Sequence, residues 1–422
     1  MKVKWGLQAI LLFGVYAFAL YVYLFHYESS GVPAALQGTV ADPSTFMTER
    51  EIVLSENYSK IRNFIFLLTK PLEWFILFFI LLIGLSRAFE RWSSRPSKWA
   101  IIQIPIYVFF LSFFMFLVML PIRYFSYIVS VNYGVSIQSV PQWLTNLVLD
   151  FCIDFIPTLL MVGILYFFIR KARERWWFYV WLLTIPITLF FAYIQPVIIE
   201  PLFNDFSSIE NKELEQKILA LAEEADIPAD RVYEVKMADQ TNAMNAYVSG
   251  IGKNTQIVLW DTTLANLSEE EILFIMAHEM GHYAHKDIYK DLTIDFVISF
   301  FIYWLIAKLM KNIIHKNGPV LNIKRMEGIH SLPLYLLLSS ILFFAVSPLY
   351  TAISRHQEIK ADNYAIELVE DEGAGISTFQ ALAKSNLNEA NPPLIVKWFR
   401  YSHPPLVDRI NNLESEIREK HE

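Results

Sequence analysis

A single cysteine, Cys152, lies in an apolar run, so neither a disulfide framework nor a thiolate metal cluster can form within this chain. Its plainest reading is a buried spectator thiol. Charge is also scarce, at 18% of 422 residues, against about 25% in soluble domains. The formal net charge of −7 leaves no basic face able to neutralise phosphates, which excludes a nucleic-acid partner. No internal repeat or low-complexity tract is visible. What the chain has in excess is apolar residues, 55% of the total, gathered into long runs. That is the composition of a polytopic membrane protein rather than of one large soluble core.

A bilayer core ~30 Å thick needs about 20 apolar residues in a helix, because lipid offers the backbone no hydrogen-bond partner. About seven segments qualify. They run near Gly6 to Phe25, Pro71 to Phe89, Trp99 to Leu120, Leu147 to Phe168, Trp176 to Ile199, Leu292 to Met310 and Leu332 to Tyr350. The basic Met1–Lys4 stretch precedes the first. That run is long and ends in aromatics rather than in small residues, so it reads as an uncleaved span, not a signal peptide. Pro186 and Pro196 suggest a kinked end to the fifth.

The chain changes character between the fifth and sixth spans. Leu214, Ile218 and Leu221 recur at helical spacing, predicting an amphipathic helix over Glu210 to Ala225. Strands are expected at Arg231 to Val235, Asn245 to Gly250 and Thr255 to Trp260, with a turn at Gly252-Lys-Asn between the last two. Ser268 and Glu271 form a capping-box pattern that opens a helix. On it stands His278-Glu279-Met280-Gly281-His282. Residues four apart share a helical face, so both imidazoles can converge on one metal with Glu279 beside it. Zinc suits imidazole and carboxylate ligands, and Glu279 would take a proton from water as it attacks a polarised peptide carbonyl. Two solvated histidines on an exposed helix are the bland alternative, and the apolar run Ile272 to Ala277 speaks against it.

A third protein ligand is normally needed. His285 follows His282 by three residues and could approach, but the glycine and later histidine of a metzincin extension are missing. Glu358 and Asp362, four apart after the last span, could supply a ligand and a carboxylate that orients a ligand histidine. The same spacing fits an ordinary charged surface helix with an Arg355 ion pair. His403, before Pro404-Pro405, could equally shape a turn.

Taken together, these features resemble the CAAX prenyl protease type I family, integral-membrane zinc proteases of the gluzincin kind. The resemblance covers essentially the whole chain. It rests on Pro201-Leu-Phe-Asn, Asn245-Ala-Tyr, Ile257-Val-Leu, Leu267-Ser-Glu-Glu-Glu, His278-Glu-Met-Gly-His, Ser354-Arg through Glu358, Ala361-Asp362 and Tyr401-Ser-His-Pro-Pro, in that order. It implies one zinc ion per chain held by His278, His282 and Glu358, with Glu279 as general base. Asp362 would support a ligand, His403 would stabilise the oxyanion, and Arg409 would stand nearby. Asn245, Ala246 and Tyr247 would hold substrate backbone as an edge strand can. The expected fold is an α-helical polytopic membrane protein of about seven spans around a hollow chamber, with an embedded α+β protease module. The expected units are 1–199 with five spans, 200–291 with the metal helix, 292–352 with two more spans, and 353–422 with the third ligand. The short link from Trp260 to Ser268 and the Glu419-Lys-His-Glu422 terminus depart from animal and fungal members. They point to a compact bacterial member in a cell membrane.

Glu73, Asp150, Asp154 and Asp295 lie in or near the spans. The first two are read as reaching the interface, the others as lining a hydrated chamber. The basic stretches at the N-terminus, Arg87 to Lys98, Arg170 to Arg175 and Lys311 to Arg325 fall on one side of seven spans, which places His278 and the C-terminus outside. The resemblance to eukaryotic members implies a cytosolic catalytic side instead. The expected partners are the lipid bilayer and a peptide or protein substrate, lipidated or membrane-associated. A membrane quality-control protease of the heat-shock type is the rival enzyme, and a silent scaffold or transporter the rival of another class. A silent relative would be expected to lose Glu279 or a ligand.

Overall fold

The computed structural model describes residues 1–27, 31–194, 205–249 and 255–421. Helix α1 (Lys2–Val22) is followed by α2 (Glu49–Leu82), whose start is fixed by a capping box between Thr48 and Glu51. Gly84 then takes φ +79°, and the Asn322 side chain donates to the carbonyls of Leu81 and Leu82 at 2.8 and 3.1 Å. With its last carbonyls satisfied in this way, the helix ends. The second span therefore starts earlier than its apolar run suggests and stops at Leu82. Phe89 belongs to a separate amphipathic helix, α3 (Leu85–Ser94).

Three long helices follow: α4 (Ala100–Asn132), α5 (Val140–Ala172) and α6 (Trp176–Ile194). Together α5 and α6 form one continuous helical stretch of 55 residues, so the described residues hold six such stretches long and apolar enough to cross a membrane. Arg173 at φ +42° opens a 3₁₀ turn between the two, and they pack against each other as a hairpin, which makes seven apolar helices. Pro186 sits inside α6; Pro196, the Pro201 to Asn204 motif, the Gly252 to Asn254 turn and Glu422 lie outside the described residues.

The polar region forms a small α+β layer. It contains β1 (Phe206–Ser208), α7 (Lys212–Glu224), β2 (Val232–Val235), β3 (Ala246–Ser249), β4 (Gln256–Trp260), α8 (Asp261–Asn266) and α9 (Glu269–Ala284). The strand order is β1-β2-β4-β3, with β2 and β4 parallel and the outer pairs antiparallel. β1 was not visible in the sequence; three residues are too few for an alternation to register. Ile218, Ile257, Leu259, Met276 and Met280 are buried between sheet, α7 and α9, each stabilising the module by about 1.5–3 kcal/mol.

Helix α10 (Asp287–Asn317) returns across the spans and α11 (Leu332–Leu368) crosses again. At 1.5 Å per residue, 37 residues span roughly 56 Å, well beyond a ~30 Å bilayer core. The surplus turns of α11 leave the span layer and pack on α9. Helices α12 (Ala374–Asn386), α13 (Leu394–Phe399) and α14 (Leu406–His421) complete the module.

Large apolar side chains such as Leu11, Phe18, Ile101, Ile156, Phe190 and Phe301 point outward, as expected where the solvent is lipid. Cys152 follows the same logic: it is exposed on α5, not buried, because in a span an apolar neighbourhood faces outward as readily as inward. Glu73 pairs with Lys70 one turn away at 3.1 Å, and Asp295 accepts from the Tyr350 hydroxyl at 3.0 Å. Asp150 and Asp154 are exposed on one face of α5. The basic loops meet at one end of the bundle: Lys2 donates to Asn322 Oδ1 at 2.7 Å, Arg87 donates to the Asn322 carbonyl, Arg170 to the Glu327 carbonyl at 3.3 Å, and Lys311 to Glu174 at 2.8 Å.

Candidate metal centre and active site

Ser268 accepts from the Glu271 amide, and Glu271 reaches back to the Ser268 amide, so α9 starts with its free donors satisfied. The helix then runs into the core on Ile272, Phe274, Met276 and Ala277. That burial fixes the direction of His278 and His282, whose rings lie 4.9 Å apart. Gly281 lies between them in sequence and faces α11. A Cβ there would stand 3.0 Å from the Ala361 Cα, so the absence of a side chain lets the two helices approach closely.

That approach brings Glu358 to the histidines. Its Oε2 is 3.4 Å from His278 Nε2 and its Oε1 is 3.4 Å from His282 Nε2. Ligand atoms bonded at about 2.0–2.1 Å in a tetrahedron stand about 3.3–3.4 Å apart, so these spacings fit a zinc ion. Glu358 is 5% exposed, and its Oε2 has no hydrogen-bond partner. Arg409 Nη2 stands 3.4 Å from the same oxygen without a hydrogen bond to it, so the buried carboxylate keeps an open donor position on the side of the two imidazoles. Burial alone would lower the His278 pKa, yet Asp362 and Glu358 raise it to about 10, so a proton takes the place of the positive charge the carboxylates demand. His278, His282 and Glu358 are thus a group that could hold a metal ion.

The other ring nitrogens are also supported. His278 Nδ1 is 2.8 Å from Asp362 Oδ1, a close contact although not aligned as a straight hydrogen bond. Arg409 clamps Asp362 through two bonds, Nε to Oδ2 at 2.9 Å and Nη2 to Oδ1 at 2.5 Å, and lies 4.0 Å above the Phe379 ring. His282 Nδ1 is 3.0 Å from Oδ2 of the buried Asp287. Asp287 escaped sequence reasoning; its signal was a carboxylate just past the end of the motif helix, after Lys286 turns the chain at φ +56°. His285 is not in the cluster. It caps α9 and packs against Tyr364 at 5.7 Å.

Glu279 faces a cavity also lined by Asn245, Ala246, His403 and Arg409. Burial pushes its carboxyl above the ordinary range against the pull of His278 and His282, and it accepts a hydrogen bond from the Val248 amide. His403 Nε2 stands 3.3 Å from Glu358 Oε1, and its Nδ1 is 3.0 Å from Ser402 Oγ. Its side chain is 56% exposed and lines the cavity. Enclosure by protein, outweighing the pull of Glu358, combines with the charges of Arg409, His278 and His282 to hold it neutral near pH 7. Nε2 faces the carboxylate of Glu358, which can only accept, and this favours the tautomer with the proton on Nε2 and Nδ1 free to accept from the Ser402 hydroxyl. Among the described residues Arg355 forms no ion pair. Its Nη1 donates to the Lys397 and Tyr401 carbonyls, both at 2.7 Å, fastening the loop that carries His403.

In the sheet β3 is an edge strand. The Asn245 carbonyl accepts from the Trp260 amide, so by antiparallel alternation Asn245 and Tyr247 turn their backbone groups to β4. Ala246 and Val248 turn theirs to the open edge, which agrees with the Val248–Glu279 contact. Of the three residues expected at a substrate strand, only Ala246 turns its backbone to the open edge, and Val248 does so two residues on.

Two family models match this chain. One, peptidase family M48, matches residues 208–417; the other, the CAAX prenyl protease N-terminal region of five membrane helices, matches residues 23–205. An uncharacterized metalloprotease of Bacillus subtilis, YhfN, is 45% identical, over 98% of this chain and 97% of its own. CAAX prenyl protease 1 of Saccharomyces cerevisiae is 26% identical over 71% of this chain and 69% of its own. The crystal structure of S. mikatae Ste24p superposes with a TM-score of 0.78 at 23% identity, covering 98% of each chain. That likeness establishes the fold, a ring of membrane helices joined to a protease module.

Proposed function

We infer the chemistry from one premise: this chain belongs to peptidase family M48 and is an integral-membrane metalloprotease. We propose that one zinc ion sits between His278, His282 and Glu358, and that the enzyme cleaves peptide bonds near the C-terminus of membrane-associated or lipidated proteins. The carrying observation is the convergence of two imidazole nitrogens on the two oxygens of one buried carboxylate at 3.4 Å spacings beside Glu279.

Bound there, zinc would supply Lewis acidity, which acidifies water and polarises a carbonyl. The remaining work belongs to this chain's own side chains. Glu279, oriented by the Val248 amide, takes a proton from the attacking water and passes it to the departing amine nitrogen. Neutral His403 points Nε2–H toward the cluster and donates to the oxygen that gains charge in the transition state. Arg409 holds Asp362 and Asp362 holds His278, while Asp287 holds His282. The outward backbone groups of Ala246, and the Val248 carbonyl, are left to pair with an extended substrate.

Likeness to relatives such as CAAX prenyl protease 1 supports a carboxy-terminal processing role. The clustering of basic loops at the end away from the metal centre supports an external active site by the positive-inside rule. Purified, zinc-loaded protein should cleave a farnesylated CAAX peptide faster than its unprenylated form or an unfolded membrane protein. Preference for the unfolded protein would overturn the processing role in favour of quality control. No cleavage of any of the three by the parent, under conditions where zinc is retained, would sink the substrate assignment.

A further inference from the structure

The catalytic cavity extends beyond Glu279 and His403 to a second group of residues: Asn386, Asn388, Glu389, Arg400 and Arg62. Arg62 comes from α2 and Arg400 from the end of α13, elements far apart in sequence. Neither guanidinium has a carboxylate within ion-pair distance among the described residues. Arg62 lies 5.2 Å from the Tyr58 ring and makes no hydrogen bond there. Arg400 donates to Asn63 Oδ1 and lies 5.5 Å from the Phe66 ring. Burial, and then the charge of Arg62, lowers the Arg400 pKa to about 10, against the smaller opposing pull of Tyr401 and Glu389.

Glu389 does not supply such a carboxylate. It is 2% exposed, accepts from Asn63 Nδ2 at 2.6 Å on one oxygen and leaves the other without a partner. Burial pushes its carboxyl upward, toward the neutral form. Even fully ionised, it would offset one guanidinium of the two. Partly buried, unpaired guanidiniums facing a cavity are costly unless an anion joins them, and the forked donor geometry of arginine suits a carboxylate.

The direction of β3 says where such an anion would come from. Asn386 holds the N-terminal end of the strand, accepting from the Met244 amide at 3.1 Å and donating to its carbonyl at 3.5 Å. Val248, near the other end, donates to Glu279. A substrate strand paired antiparallel to β3 therefore runs with its carboxyl end from Glu279 toward Met244, Asn386 and the two arginines. From Val248 to Met244 is about 13 Å at ~3.3 Å per residue, on the order of three or four residues of extended chain.

We propose that Arg62 and Arg400 form a subsite for the free α-carboxylate of the substrate, a few residues beyond the bond that is cut. This rests on the peptidase reading above and adds to it a measuring device. Anchoring the chain end at the arginines sets which peptide bond lies at Glu279, so the enzyme releases a short peptide of fixed length and passes over internal bonds.

The test compares one peptide in two forms, with a free C-terminal carboxylate and as the C-terminal amide, on zinc-loaded full-length protein in detergent or vesicles. A charge-assisted contact of this kind corresponds to a preference for the free acid of about ten- to a hundredfold in kcat/KM. The effect should fall mainly on KM, because the carboxylate is bound alike in ground and transition states. Arg62→Gln and Arg400→Gln should each bring the acid-to-amide ratio toward one. Arg400 also holds Asn63, so its loss can disturb packing; Arg62, which makes no hydrogen bond among the described residues, is the cleaner position. A purely structural role would lower cleavage of both peptides in proportion and leave their ratio intact. Equal cleavage of acid and amide by the parent, or an unchanged ratio in Arg62→Gln, overturns the subsite while leaving the peptidase reading in place. Absence of cleavage of either peptide by the parent overturns both.

Discussion

Adding a single methyl group at Gly281 tests whether helix spacing is what assembles the metal centre. A Cβ at this position meets the Ala361 Cα at 3.0 Å and the Ala361 Cβ and carbonyl oxygen at 3.3 Å, all on α11. Ordinary carbon contacts lie at about 3.5–4.0 Å, so the helices must part by a few tenths of an ångström. Such overpacking costs about 1–3 kcal/mol, while replacing a helical glycine by alanine returns about 1 kcal/mol. The net loss of fold stability in Gly281→Ala is therefore modest, about 0–2 kcal/mol. The metal site is less forgiving, because ligand distances tolerate only about ±0.2 Å. Glu358 lies one turn before Ala361 and moves with it, away from His278 and His282. Zinc affinity should fall about ten- to a hundredfold, comparable to losing a residue that orients a ligand. Competition against a chelator of known affinity reads this directly, and melting with and without zinc separates it from unfolding. Parent-like affinity in a folded Gly281→Ala protein would refute the claim that the α9–α11 approach holds the three groups in place.

Asp287→Asn removes the carboxylate beside His282 Nδ1 and should weaken zinc about ten- to a hundredfold in the same competition assay; unchanged affinity would leave Asp287 as a helix-start residue only. His403→Ala should lower kcat about a hundred- to a thousandfold with zinc content and KM nearly unchanged; a variant that is destabilised yet fully active per zinc would remove it from catalysis. Burial raises the Glu279 pKa, so its ionised, proton-accepting form is lost earlier as pH falls. The acid limb of kcat should lie above the ordinary carboxylate range, and a limb at or below about 4.3 would contradict the burial argument. A protease-cleavable tag after residue 421 should be accessible from outside intact cells, and its protection there would reverse the orientation proposed.

Helical periodicity and apolar length are local properties, and both were readable from the sequence. The HExxH spacing on an apolar helix, the Ser268–Glu271 cap and the long lipid-facing runs each follow from residues within a few turns of one another. The errors arose where a distant residue ended an element or where lipid replaced water. The second span stops at Leu82 because Asn322, remote in sequence, caps its carbonyls, and Cys152 is exposed because a span can turn an apolar neighbourhood outward as readily as inward.

The sequence by itself determined that this chain crosses a membrane several times and carries two histidines and a glutamate on one helical face. It left Glu358 undecided between a surface charge and a metal site, since four-residue spacing fits both. Tertiary structure alone decided that α11 packs against Gly281 closely enough to bring the Glu358 oxygens within 3.4 Å of both imidazoles. It also turned Ala246 and Val248, rather than Asn245 and Tyr247, toward the open strand edge, and gathered Arg62 and Arg400 into the same cavity. The physical reason is that strand register, close helix approach and unpaired charge depend on residues far apart in the chain, and no local pattern encodes their distances.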